Sequence, residues 1–182
     1  MSKASVFLAD GMEEVECLAV VDMLRRGGVE TVMVSVMGRR LVTGAHGISI
    51  LADVTFDETD FSDCDLLFLP GGVPGTPNLA AHEGLCRLLQ NFADSGRRLA
   101  AICAAPSILG GLGLLEGRTA TCYPGWENKL TGAVHTGQGV VTDGTITTAC
   151  SVGFAVDMGI ELVRLLEGEE TAQAVREAIL HP

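Results

Sequence analysis

Short apolar runs that end on small residues alternate along this chain with segments of helical period, and this order constrains the fold more than any other feature. Ser5–Ala9 reads as a strand, followed by a helix over Glu13–Arg26 that stops at Gly27-Gly28. Glu30–Val36 is rich in β-branched residues and reads as the next strand. Leu41–Leu51 has the pattern of a hairpin interrupted by Gly44 and Gly47. Leu66–Leu69 is a short buried strand, and Asn78–Ala93 carries an amphipathic helical period. A strand ending at Cys103 leads into a helix over Ser107–Leu115. Thr119–Cys122, Gly139–Val141 and Thr145–Cys150 read as further strands, the last two joined at the turn Asp143-Gly144. Helices over roughly Gly153–Leu166 and Glu169–Leu180 follow. The alternation predicts an α/β fold with a mostly parallel sheet and helices on both faces. No repeat, linker or low-complexity tract interrupts the chain, so one domain over residues 1–182 is expected.

In such sheets, ligands bind beyond the carboxyl ends of the strands, and three segments fall there. In Ala100-Ala101-Ile102-Cys103-Ala104-Ala105-Pro106, a cysteine sits between a strand and a helix start. A side chain at such a tight turn projects from the end of the sheet, with neighbouring N–H groups pointing outward beside it. Partial positive charge at a helix start favours thiolate, so a lowered pKa and preferential modification of Cys103 are expected. The alternative is a buried structural cysteine. In Leu69-Pro70-Gly71-Gly72, two glycines follow a strand directly, and Gly71 and Gly72 are candidate N–H donors to an oxyanion. A plain turn is the alternative there. A phosphate loop does not fit, because no Gly-Lys-Ser/Thr follows and Pro74 and Pro77 lack donors.

The third segment contains Glu16, which falls inside an apolar stripe of Met12, Ala19, Val20, Met23 and Leu24 at helical spacing. A carboxylate in that position must be paired or must hold a proton, unless it lies at a solvated edge. Glu13 and Glu14, in the first helical turn, are expected near solvent.

Composition excludes several classes. A net charge of −11 argues against a nucleic-acid partner. Hydrophobic residues make up 47%, yet no apolar run approaches the ~20 residues of a membrane span. The N-terminal residues read as a first strand, not a signal peptide. Six cysteines without CxxC pairing fit reduced thiols in a cytoplasmic setting and argue against a zinc site or a disulfide framework.

Ala9-Asp10-Gly11-Met12-Glu13-Glu14-Val15-Glu16, Leu69-Pro70-Gly71-Gly72 and Ala101-Ile102-Cys103-Ala104-Ala105-Pro106 together resemble the ThiJ/PfpI superfamily, in its deglycase branch (DJ-one). The resemblance covers nearly the whole chain. It implies a flavodoxin-like three-layer sandwich, a homodimer, and no cofactor. It also implies a nucleophile at Cys103, Glu16 hydrogen-bonded to its sulfur, and oxyanion donors from the Gly72 region and Ala104. Two departures stand out. Tyr123 stands where many members of the branch carry a histidine, and Cys150 where relatives often carry an arginine. Tyr123, Cys150 and His46 are candidates for the pocket wall. His82, His135 and His181 fit no catalytic pattern, and Ala104 stands where the protease-like branch has histidine.

Two functions therefore stay open. One is cofactor-independent processing of small reactive aldehydes, such as methylglyoxal or its early adducts, through Cys103 and Glu16. The other is a non-enzymatic oxidative-stress sensor or protective protein, in which Cys103 is oxidised to a sulfinic acid held by Glu16.

Overall fold

The computed structural model describes residues 1–182. The strands are β1 (Lys3–Leu8), β2 (Glu30–Ser35), β3 (Leu41–Thr43), β4 (Ser49–Leu51), β5 (Val54–Thr55), β6 (Leu66–Leu69), β7 (Arg98–Ile102), β8 (Thr119–Ala120), β9 (Val134–His135), β10 (Val140–Asp143) and β11 (Ile146–Ala149). The helices are α1 (Glu14–Arg26), α2 (Gly75–Ala80), α3 (Glu83–Asp94), α4 (Pro106–Gly111), α5 (Ala155–Glu167) and α6 (Glu169–Ala178). Seven strands form the central sheet in the order β10-β11-β7-β6-β1-β2-β5. Every pairing is parallel except β10 with β11, which meet across the expected Asp143-Gly144 turn. The fold is α/β and flavodoxin-like.

Two apolar clusters sandwich the sheet. One joins α1, α5 and α6 to Val6, Leu8, Phe68 and Ile102. The other joins α3 and α4 to Phe7, Leu67, Leu69 and Ala101. Strand residues alternate between the clusters, as period-2 geometry requires. The four residues of β6 are all buried because helices cover both faces. No helix is long and apolar enough to cross a membrane.

Several local expectations need correction. The helix expected over Asn78–Ala93 is two helices. His82 leaves helical geometry, and its Nδ1 accepts the Leu85 N–H at 3.0 Å, capping α3 afresh. The helix after Cys103 ends at Gly111 instead of Leu115. Thr119–Cys122 contributes only a two-residue strand, which pairs with β9 outside the central sheet. Glu14 is buried at 1% exposure, not solvent-near. Its Oε1 accepts the N–H groups of His46 at 2.8 Å and Ile48 at 3.2 Å, so the β3–β4 hairpin closes over it. The topology reverses direction between β1 and β6, and a crevice opens at their carboxyl ends.

Candidate active site

Three segments converge on that crevice. The turn after β1 leads into α1, which carries Glu16 inward at 1% exposure. Pro70-Gly71-Gly72 crosses over from β6, and β7 delivers Cys103. Strict alternation would send Cys103 to the face of Ala101. Instead its φ of +64° turns the thiol against the α1 cluster. A non-glycine residue in that region costs about 1–3 kcal/mol. The conformation is braced on both sides: Cys103 N–H donates to the Ala149 carbonyl at 2.9 Å, and the Cys103 carbonyl accepts from Tyr123 N–H at 2.8 Å.

Gly71 and Gly72 explain the spacing. A Cβ on Gly71 would lie 2.6 Å from both Cys103 Cβ and Glu16 Oε2, so only glycine lets those side chains meet. Gly71 N–H donates to Glu16 Oε2 at 2.9 Å. This N–H therefore orients the carboxylate and is not free for an oxyanion, a correction to the sequence expectation. Gly72 adopts φ +88°, where a Cβ would fall 2.3 Å from the Glu13 nitrogen. The N–H groups of Gly72 and Ala104 both approach the Cys103 sulfur. Neither donates to a backbone carbonyl elsewhere.

The electrostatics also depart from expectation. Burial pushes the Glu16 carboxyl up to about 7, against the Cys103 thiol and Gly71 N–H, which lower it; the charge of Glu13 adds to the rise. Cys103 is pushed up to about 12, first by burial and then by the Glu16 charge. A helix start contributes about 0.3–1 kcal/mol toward a thiolate, whereas a like charge at ~4 Å opposes it by about 4 kcal/mol near a protein surface. The carboxylate wins. The pair carries one negative charge comfortably, not two.

A cavity of about 320 Å³ opens over the thiol, lined by Glu13, Glu16, Gly72, Val73, Cys103, Ala104, Tyr123, Trp126 and Val152. Tyr123 is among its lining residues, and no imidazole is. Cys150 and His46 do not line it. Cys150 is half-buried, with its sulfur 3.8 Å from Ser151 Oγ. His46 sits at the hairpin tip, its Nδ1 3.0 Å from Glu14 and 3.2 Å from Glu13. These three side chains bring ligand-type atoms within 4.8 Å of one another. The Glu14 oxygens already accept three hydrogen bonds there, so the cluster reads as the hairpin's anchor. The sequence reading missed Trp126 and Val152. The turn Pro124-Gly125 directly before the chain's single tryptophan is the one signal for Trp126. A cavity of about 340 Å³ near α5 and α6 is slightly larger. It holds no nucleophile, and its Glu161 and Arg164 pair with each other.

Comparison with known proteins agrees with this geometry. The model of the DJ-1/PfpI family matches residues 2–165. The chain belongs to the DJ-1/PfpI family. It is 37% identical over 175 residues to Protein DJ-1 homolog B of Arabidopsis thaliana, covering 95% of this chain but only 40% of that protein. It is 31% identical to Protein dj-1beta of Drosophila melanogaster, across 99% of this chain and 98% of that one. The solved structure of oxidized Toxoplasma gondii DJ-1 superposes with a TM-score of 0.96 at 28% identity, covering 100% of this chain and 99% of that one.

Proposed function

We propose that this DJ-1/PfpI protein converts small α-oxoaldehydes such as methylglyoxal to 2-hydroxy acids, or clears their early adducts with amines and thiols. The observation that carries the reading is the convergence at one cavity of Cys103, Glu16 and the Gly72 and Ala104 N–H groups, which meet the sulfur and which no backbone carbonyl takes up. Relatives support it by name: a deglycase of Pyrococcus abyssi, 30% identical across 89% of this chain, and a glutathione-independent glyoxalase of Caenorhabditis elegans, 30% identical across 90%.

Because the Cys103 thiol holds its proton strongly beside ionised Glu16, attack on the aldehyde is coupled to transfer of that proton to the carboxylate. The sulfur–carbon bond forms while the carbonyl π pair moves to oxygen, and Gly72 and Ala104 N–H groups hold the alkoxide. Glu16 returns the proton to that oxygen, giving a hemithioacetal. Glu16 then removes the proton from the former aldehyde carbon while the ketone oxygen takes up a proton, giving an enediol. The hydroxyl on the former aldehyde carbon gives up its proton as Glu16 delivers the carbon-derived proton to the neighbouring carbon. One carbon is oxidised and the other reduced, which leaves a thioester. Water hydrolyses it to the hydroxy acid and regenerates the thiol. Net, one water is consumed and no external electron carrier is required.

Six unpaired thiols fit a reducing compartment such as the cytoplasm. Exposed Val15 and Leu18 on α1, at 54% and 40%, support a homodimer. The decisive experiment is steady-state conversion of methylglyoxal by wild type and Cys103→Ser. Turnover that vanishes in the variant supports the reading, and equal rates overturn it. One observation favours a second reading, oxidation sensing: the Toxoplasma gondii relative was solved oxidized. A sulfinic acid at Cys103 would find the same two N–H donors and a Glu16 that holds its proton up to about pH 7.

A further inference from the structure

Building on that reading of the site, we infer that its cavity selects uncharged α-oxoaldehydes with a bulky apolar or aromatic substituent and turns away those that carry a carboxylate. The argument begins with size. At ~30 Å³ per heavy atom, the share of one water in the liquid, a cavity of about 320 Å³ has room for far more than methylglyoxal's three carbons and two oxygens. Phenylglyoxal, with twice as many heavy atoms, matches the space.

The walls have matching chemistry. Val73, Tyr123, Trp126 and Val152 line the same cavity as the reacting sulfur and supply apolar surface there, with Val73 58%, Tyr123 47% and Val152 45% exposed. Such side chains at a concave site gain from covering a substituent. The Trp126 ring is held by the Lys129 ammonium, 3.8 Å from its centroid.

Charge supplies the exclusion. The titratable groups lining the cavity are Glu13, Glu16, Cys103 and Tyr123, with no lysine, arginine or histidine among them. Lys129 is the near cation, engaged on the Trp126 ring. His46 is spent between Glu13 and Glu14. Cys150, at the end of β11, contributes no cation either. A ligand carboxylate entering the cavity would meet the acidic side chains of Glu13 and Glu16 and no basic side chain in the lining, a costly desolvation.

The test compares kcat/KM for phenylglyoxal, methylglyoxal and 4-carboxyphenylglyoxal, an α-oxoaldehyde that carries a carboxylate and can undergo the same reaction, with the intact protein. Phenylglyoxal should exceed methylglyoxal by roughly tenfold or more, the scale a well-filled apolar pocket reaches, and 4-carboxyphenylglyoxal should fall below both. Trp126→Ala should reduce the phenylglyoxal-to-methylglyoxal ratio by at least roughly fivefold, and the exposed-site variant Val152→Ser should reduce it in the same direction. Methylglyoxal turnover with no phenylglyoxal advantage, or 4-carboxyphenylglyoxal turned over as well as phenylglyoxal, would overturn this inference and leave the proposed function standing. If no aldehyde is turned over, occupancy is read without chemistry from the emission of Trp126, the single tryptophan. Benzyl alcohol should shift that emission saturably, whereas benzoate should not. Equal responses to the two probes, or no response to benzyl alcohol, would overturn the inference on its own terms.

Discussion

Between pH 4.5 and about 7 an unfolded chain gives up the Glu16 proton while the folded protein keeps it, because burial pushes the folded carboxyl up to about 7. The unfolded state then binds fewer protons, so stability falls as pH rises. This contribution is fully present below about pH 4.5 and is lost as pH passes through about 7. A shift of this size corresponds to about 3 kcal/mol. Glu16→Gln, whose amide oxygen still accepts the Gly71 N–H, should flatten that slope; denaturant melts at pH 5 and pH 8 check it. Catalysis has the opposite sign. Proton uptake from the thiol needs ionised Glu16, so kcat/KM for methylglyoxal should climb through about pH 7 and then level off. Glu16→Gln should lose roughly 10²–10⁴ of that rate. The same variant removes the charge that lifts the Cys103 pKa, so iodoacetamide should label Cys103 at least about tenfold faster at pH 8. Slower turnover with faster alkylation separates proton transfer from a collapsed site, which would slow both. The proton demand at Glu16 was legible in its apolar stripe. The raised Cys103 pKa was not, since it depends first on burial in the folded crevice and then on the charge of Glu16, 87 positions away in sequence.

At the scale of elements, the strand-end loops do the positioning. Gly71→Ala would place a methyl 2.6 Å from both Cys103 Cβ and Glu16 Oε2, forcing the two reactive side chains apart. Methylglyoxal turnover should drop by roughly 10² or more, on the scale that a misplacement of about 1 Å costs, and circular dichroism should show the sheet retained. The β3–β4 hairpin is tied down by Glu14 alone of the α1 carboxylates, through the His46 and Ile48 N–H groups. Glu14→Ala should cost about 2–4 kcal/mol by stranding those donors, and the Ile48 amide should exchange faster with solvent. The hairpin was legible from Gly44 and Gly47, but its anchor was not. A glutamate in a first helical turn reads as solvated until a remote loop folds back to supply its partners. Likewise, His82 ends one helix and caps the next, whereas the apolar period from Asn78 to Ala93 runs through it unbroken.

For the molecule as a whole, Val15 and Leu18 leave an apolar strip on the outer side of α1, the helix that also carries Glu16. A homodimer through that strip should give twice the monomer mass by light scattering at micromolar concentration, and Leu18→Glu should return it to the monomer. The alternating periods of the sequence by themselves determined the α/β class, the parallel core strands and the turn at Asp143-Gly144, because side-chain period is a local property that backbone geometry enforces directly. The strand ends and the helical stripe also singled out Cys103, Glu16 and Gly72 as chemically unusual positions, while Ala104 entered only through the family resemblance. Only the tertiary structure decided that Gly71 N–H serves Glu16 instead of an oxyanion, that Trp126 and Val152 wall the cavity while Cys150 and His46 do not, and that two-residue strands such as β5 and β9 exist. Two residues carry no period, and a donor's partner, a cavity wall and a buried charge are set by distances between remote segments, which no local pattern records.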